Sequence, residues 1–426
     1  MADEEMRTMG TMSDQPTGDG QTVTWPAAPS GARLAQAAAM ADDWVGSRLV
    51  PGVSLAVAWR GEVVFTHAAG KLSAGNGAPV SAETRYPVAS LTKPVTAAAV
   101  MALIERGDLY LDEPIRRWLP EFATPTGESA RRQITARELL CHVAGLPKDD
   151  PELPGLFARE APFADILDSA AAVPLIQPPG QRVTYSNAGY WVLGGLIAAA
   201  SQSPYHEVAT ELVLRPAGLE QSTFNPSDEV VTLLARRYGP DRIANMSYGR
   251  QLGSPSGGLY ATAADLARFA GAFAEGAIHR SRAGGVSGAS VRMMTTDQTA
   301  AAAVPLPTPN PQPPLESSRR AAAALPGGIP GLREWSACPW AFGWEVRGDK
   351  TAHWTGDLTS PGTICHIGQS GCLVWADPRT GLSLAVLANR DLGSGWATGG
   401  RPENSPGAVD SPARWARLSD IIASSV

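Results

Sequence analysis

The order of apolar segments predicts an α+β fold: one antiparallel sheet made from both ends of the chain, flanked by helices, with a mostly helical lobe inserted between. Three observations carry this. Strand-like runs lie near the N-terminus at 51–70 and near the C-terminus at 365–376 and 382–389. Long apolar segments without strand alternation fill the interval between them. Short polar motifs sit at residues 90, 185 and 366, so one unit must bring both ends of the chain together.

Residues 1–30 open with MADEEMRTMGTMSDQPTGDG, which lacks the basic and apolar regions of a secretory signal and reads as a disordered acidic tail. Residues 31–426 are expected to form a single domain, with an α/β lobe from about 31–125 and 340–426 and a helical lobe from about 126–339. The first strands form a hairpin over 51–70 that turns at Arg60-Gly61.

Tyr86-Pro87-Val88-Ala89 is extended, because residues before proline avoid the helical region. From Ser90 onward the chain is apolar on nearly every side, which predicts a buried helix. Pro94 is tolerated in its first turn and Gly107 ends it. Ser90 is then at the helix N-terminus, where backbone N–H groups favour negative charge, and Lys93 lies on the same face. Desolvation there would lower the lysine pKa towards that of a useful base. The plainer reading is that Ser90 caps the helix and Lys93 reaches solvent.

Pro178-Pro179-Gly180 signals a loop, and Tyr185-Ser186-Asn187 follows it just before another apolar helix. Asn187 is either a functional group or only an N-cap. Thr262 and Asp265 have capping-box spacing. The stretch 300–333 is rich in Ala and Pro and reads as a surface excursion or a lid. His366-Ile367-Gly368-Gln369 belongs to a strand, and Asp377-Pro378-Arg379-Thr380-Gly381 turns into the next. Gly368 would let the strand backbone approach a ligand. The last helix begins near Asp410 and places Trp415, Leu418, Ile421 and Ile422 on one stripe.

Other function classes find little support. A net charge of −6 gives no reason to expect nucleic acid. No apolar run is long enough to span a membrane. Cys141, Cys338, Cys365 and Cys372 show no metal or redox spacing and fit free thiols in a reducing cytoplasm. The six histidines are dispersed, so neither a metal nor another cofactor is expected. The oligomeric state is not readable.

Taken in order, Ser90-x-x-Lys93, Tyr185-x-Asn187 and His366-x-Gly368 resemble the three motifs of the penicillin-recognising serine hydrolases: class C β-lactamases, D,D-peptidases and family VIII-type esterases. PGQRVTYSNAGYWVLGGLI resembles the second motif over its whole length, and the resemblance covers about 31–426. It implies a β-lactamase/transpeptidase-like fold and an acyl-enzyme on Ser90, with Lys93 and Tyr185 moving the proton. It also implies that Asn187 holds the substrate and that the N–H groups of Ser90 and Gln369 bind the oxyanion. His366 stands where β-lactamases usually carry Lys, and it is either a substrate-side donor or a structural histidine bonded to a backbone carbonyl. The expected function is hydrolysis of a small-molecule ester or amide. Acyl transfer is the alternative, D,D-peptidase or β-lactamase activity ranks lower, and a catalytically inactive binding protein is the reading from another class.

Overall fold

Along Gly52–Trp59, Cys372–Asp377 and Leu382–Ala388 the side chains pointing to either face are buried, so this part of the sheet must be covered on both faces. The computed structural model describes residues 28–74, 77–123, 131–231, 234–238, 243–274, 285–300, 339–351, 353–392, 396 and 414–426. Most of the N-terminal tail, residues 301–333 of the Ala/Pro-rich excursion and Cys338 lie outside them.

The chain opens with α1 (Gly31–Gly46) and the hairpin β1 (Gly52–Trp59) and β2 (Glu62–Gly70). Arg60 and Gly61 have φ of 53° and 74°, the left-handed pair that a tight two-residue turn requires. A short β3 (Tyr86–Pro87) leads through a 3₁₀ turn, Ala89–Thr92, into α2 (Lys93–Glu105). The helical region then supplies α3 (Ala136–Leu140), α4 (Leu153–Ala158), α5 (Phe163–Ala172), α6 (Asn187–Ser201), α7 (Tyr205–Ala209), α8 (Asp228–Val231) and α9 (Ser247–Gln251). β4 (Tyr260–Ala261) pairs with β3, and α10 (Ala263–Ala274) and α11 (Gly288–Thr295) follow. The chain returns to the sheet with β5 (Glu345–Val346), β6 (Ile364–Gly368), β7 (Cys372–Asp377) and β8 (Leu382–Ala388), and closes with α12 (Arg414–Ala423).

The sheet is antiparallel, in the order β2-β1-β8-β7-β6-β5, so the N-terminal hairpin joins the C-terminal strands through β1 and β8. One face carries Val53, Leu55, Trp375, Leu384 and Val386 against α1 and α12. Trp415, Leu418 and Ile422 of the last helix are buried there, while Ile421 is only partly covered. The other face packs Ala56, Ala58, Val374 and Ala385 with Leu266, Phe269 and Phe273 of α10. α10 therefore belongs with the sheet, although its sequence position falls within the stretch assigned to the helical lobe.

α2 is the axis between the two parts. Every side chain from Lys93 to Leu103 is buried. Pro94 sits at the start of the helix, and Gly107, with φ 80°, follows its end. Thr96 Oγ1 reaches Pro255 O at 2.7 Å and Tyr205 Oη at 2.7 Å, tying α2 to the strap before β4 and to α7. The Ser90 turn is held to the same strap, because Val88 N donates to Leu259 O and Leu259 N donates to Thr92 Oγ1 at 3.0 Å. Thr262 accepts from Asp265 N, but the Asp265 carboxylate turns to Gln221 N and Ser222 Oγ, so only half of the expected capping box forms.

Candidate active site

Ser90 is not in the first turn of an α-helix, as its sequence suggested, but in the 3₁₀ turn that precedes α2. The tighter winding still presents Ser90 and Lys93 together. Ala89, immediately before Ser90, has φ 49°. A left-handed non-glycine residue costs about 1–3 kcal/mol, and such strain is sustained only where surrounding contacts over-determine it. Here the turn is fixed by Thr92 Oγ1 donating to Ala89 O at 2.7 Å, together with the strap contacts.

Lys93 is fully buried, and its Nζ meets Ser90 Oγ at 3.1 Å, Asn187 Oδ1 at 2.7 Å and Ser256 O at 2.8 Å. The last two partners can only accept, so they take two amine hydrogens. The remaining position faces Ser90, the one partner that can give a proton as well as receive one. Burial holds the Lys93 pKa well below its usual value; nearby Asp149 works against that shift and Lys148 adds to it. The amine also lies over the rings of Tyr185 and Tyr190, at 4.8 and 5.3 Å from their centroids.

Asn187 is the first residue of α6, and the N-cap is Ser186, whose hydroxyl accepts from Gly189 N at 2.9 Å. That leaves the Asn187 side chain available to the cleft. Its Nδ2 donates to Asp149 Oδ1 at 2.6 Å, so the amide is held with its oxygen towards Lys93. Tyr185 stands just outside the helix. Burial raises its phenol pKa, Ser90 close by lowers it, and Asp149 raises it further; no well-formed hydrogen bond is made by its hydroxyl.

His142 supports this loop from behind. Its Nδ1 accepts from Ser186 N at 3.0 Å, and its ring lies 4.5 Å from Tyr185, 5.2 Å from Tyr190 and 4.8 Å from Trp340. Burial, helped by Lys93 and His366, pushes the His142 pKa well below its usual value, which matches a neutral ring accepting an N–H.

His366 is also behind the site. It is buried, its Nδ1–H donates to the Ile367 carbonyl at 2.8 Å, and its ring is 6.1 Å from that of Tyr185. Burial, together with Lys93, lowers its pKa to about 3. It does not line the cleft; its neighbours Ile367 and Gln369 do. Gly368 also has a packing role. A Cβ there would sit 2.3 Å from Val88 O, so the glycine lets the end of β6 press against the backbone leading into Ser90.

The cleft between the two parts has a volume of about 390 Å³. Ser90, Tyr185 and Asn187 line it with Gln369, and Leu153, Phe157, Trp191 and Leu252 form an apolar wall on the helical side. Its charges are balanced. Lys148 is next to Asp149, and Arg237 is ion-paired with buried Asp391. Ser90, Lys93, Tyr185, Asn187 and Gln369 thus come together, with Gly368 and His366 as their backing. Asp149, His142 and the Ser256 carbonyl are the contributors that the motifs did not reveal.

A separate group of donors, Glu345, His353 and Cys365, has ligand atoms within 4.8 Å of one another at the β5 edge. Lys350 Nζ already lies 2.5 Å from Glu345 Oε1. Burial works against ionisation of Glu345, but Lys350 and His353 hold its pKa down to about 2. The lysine fills the place of a cation there, so the cluster reads as a buried ion-pair network. Cys141, Cys365 and Cys372 are buried free thiols.

Residues 35–401 match the family model described as Beta-lactamase. The chain belongs to the beta-lactamase family. Among curated members, Protein Rv1367c of Mycobacterium tuberculosis is 34% identical over 250 residues, covering 52% of this chain and 61% of the relative. Esterase EstB of Burkholderia gladioli is 30% identical over 221 residues, covering 49% of this chain and 56% of that protein. The matches thus span about three fifths of the curated relatives' length. Among solved structures of the fold, EstCE1, described as a hydrolase with promiscuous acyltransferase activity, superimposes with a TM-score of 0.69 at 20% identity, covering 92% of this chain and 99% of that one. A family VIII carboxylesterase gives 0.68 at 17% identity, covering 94% and 99%.

The fit at Gly368 yields a test. Gly368→Ala forces β6 away from Val88, two residues before Ser90, and a displacement of about 1 Å at a reacting group is enough to cost about a hundredfold in rate. Ester turnover should fall by about that factor while circular dichroism still shows a folded protein. Wild-type turnover in a folded Gly368→Ala protein would contradict the packing described.

Proposed function

We propose that this protein is a serine hydrolase that cleaves a small, uncharged ester through an acyl-enzyme on Ser90. One observation carries the reading: a fully buried amine whose two other partners can only accept, with its remaining position on the Ser90 hydroxyl. A protonated Lys93 could fill all three positions, but burial disfavours that form. The neutral amine donates to Asn187 and Ser256 and receives the Ser90 proton.

In acylation the Ser90 oxygen bonds to the ester carbonyl carbon as its proton passes to Lys93. The N–H groups of Ser90 and Gln369, carried over from the family motifs, stabilise the oxyanion. Tyr185, whose phenol stays protonated at neutral pH because of its raised pKa, hands a proton to the departing oxygen as the carbon–oxygen bond breaks, and Lys93 replaces that proton. Water then attacks the acyl carbon, its proton returns along the same groups, and Ser90 is regenerated. The likeness to EstB, named an esterase, and the charge-balanced cleft support an ester in place of an anionic β-lactam.

A fluorophosphonate should label wild-type protein once, at Ser90, and leave Ser90→Ala unlabelled, as read by mass spectrometry. Lys93→Ala and Tyr185→Phe should each lower kcat by about a hundredfold or more, the effect of a group that moves the proton in the transition state. Unchanged turnover in either variant would remove it from the mechanism.

pH provides a second check. If neutral Lys93 is the base, kcat/KM falls on the acid side of the Lys93 pKa, which lies well below that of a free lysine. The Asp149 carboxylate raises that pKa, so Asp149→Asn should move the acid limb to lower pH. A limb that stays in place, or moves upward, would separate Asp149 from Lys93.

Substrate class provides a third. His366, with a pKa of about 3, carries no charge at pH 7 and is buried behind Tyr185, so it offers nothing to a substrate carboxylate. p-Nitrophenyl butyrate should be favoured over a chromogenic cephalosporin by at least about a hundredfold in kcat/KM, or about 2.7 kcal/mol. Equal or faster cephalosporin hydrolysis would make the protein a β-lactamase.

A further inference from the structure

A second cavity shares one lining residue with the cleft. It has a volume of about 390 Å³, as large as the cleft itself, and Leu252 lines both. Leu252 follows α9 and is only partly buried. Two aromatic pairs also join the two linings. Phe157 faces the cleft and meets Tyr248 of the second cavity edge-on at 6.3 Å. Trp191 faces the cleft and meets Phe163 of the second cavity at 5.3 Å.

The second cavity is mainly apolar. Ala161, Pro162, Phe163, Ala198 and Pro204 line it, with Glu160 and His206 among its few polar residues. The Tyr248 hydroxyl is turned out of use by donating to Ala161 O at 2.7 Å, and that of Tyr205 is engaged with Thr96. A surface of this kind gains free energy from hydrocarbon and offers little to a charged or sugar-like group. The cleft wall leading to it is apolar as well, through Leu153, Phe157 and Trp191.

We propose that Leu252 is a specificity-determining gate, and that the cavity beyond it receives the alkyl chain of an ester whose carbonyl lies at Ser90. The proposal rests on the hydrolase reading above and names the substrate class: esters with a medium-length unbranched chain. Leu252 has the right chemistry for a gate. A leucine side chain changes rotamer without breaking a hydrogen bond, and an apolar chain that passes it exchanges one hydrocarbon contact for another. The chain extends from either the acyl or the alcohol side of the ester, and the chemistry of the cavity is the same for both.

Two substrate series separate those sources: p-nitrophenyl esters from acetate to octanoate, and acetate esters from ethyl to octyl. The quantity read is the ratio of kcat/KM for the eight-carbon member to that for the two-carbon member. Buried methylenes contribute about 0.8 kcal/mol each, about fourfold per carbon, so the wild-type ratio should rise well above one in one series. Ala198→Phe fills the second cavity from α6 and should lower that ratio by about tenfold or more. Leu252→Ala widens the opening and should raise it. A variant that merely folds poorly lowers both esters together and leaves the ratio where it was.

Binding to the Ser90→Ala protein, measured by calorimetry with the same esters, tests the cavity without any turnover. Tighter binding of octanoate than acetate that Ala198→Phe abolishes would support the cavity even if no ester were hydrolysed. Equal binding of short and long esters, or ratios that neither variant moves in either series, would overturn the gate while leaving Ser90 labelling, and with it the hydrolase reading, intact.

Discussion

A lysine amine with no solvent around it is the constraint on which the rest of this structure turns. A buried ammonium costs several kcal/mol, whereas each hydrogen bond it makes returns about 0.5–1.5 kcal/mol, or up to about 3 if charge-assisted. Burial thus favours the neutral amine, held by fixed hydrogen-bond partners that three separate parts of the chain deliver. Ser90 comes from the 3₁₀ turn, Asn187 from the first turn of α6, and the Ser256 carbonyl from the strap before β4. The two sides of the cleft meet at this one nitrogen.

Much of the surrounding architecture serves to hold those partners still. Thr92 and Thr96 pin α2 to the strap, and His142 holds the Tyr185 loop by accepting the Ser186 N–H. Asp149 fixes the Asn187 amide from the cleft side. Gly368 does the same for the sheet, because its missing side chain lets β6 close on Val88. The strain at Ala89 is sustained by these contacts, which between them leave the turn no relaxed alternative.

His366 shows how one position changes character with burial. A lysine would bring a permanent charge to this strand, but the imidazole spends its one donor on the Ile367 carbonyl and lies under the Tyr185 ring. It supports the aromatic group at the site and adds no charge to the cleft. The cleft is left with charges of both signs, Arg237 ion-paired with Asp391, on one side and an apolar wall on the other.

The sequence by itself determined the fold class, the order of the strands around their turns and the burial of α2, because each depends on local pattern. The left-handed pair Arg60-Gly61, the stop at Gly107 and the unbroken apolar run after Ser90 act within a few residues of themselves. Ser90, Lys93, Tyr185 and Asn187 stood out through the resemblance of three motifs, taken in order, to those of a known family, since neither Ser-x-x-Lys nor Tyr-x-Asn is specific by itself. Tertiary structure alone decided the rest. That α10 packs on the sheet, that Ser186 and not Asn187 caps α6, and that His366 is tucked behind Tyr185 follow from side-chain direction across strands and helices distant in sequence. Asp149, His142 and the Ser256 carbonyl carry no motif, because a carboxylate, an imidazole or a backbone oxygen becomes part of a site only when folding places it within hydrogen-bond reach of another group.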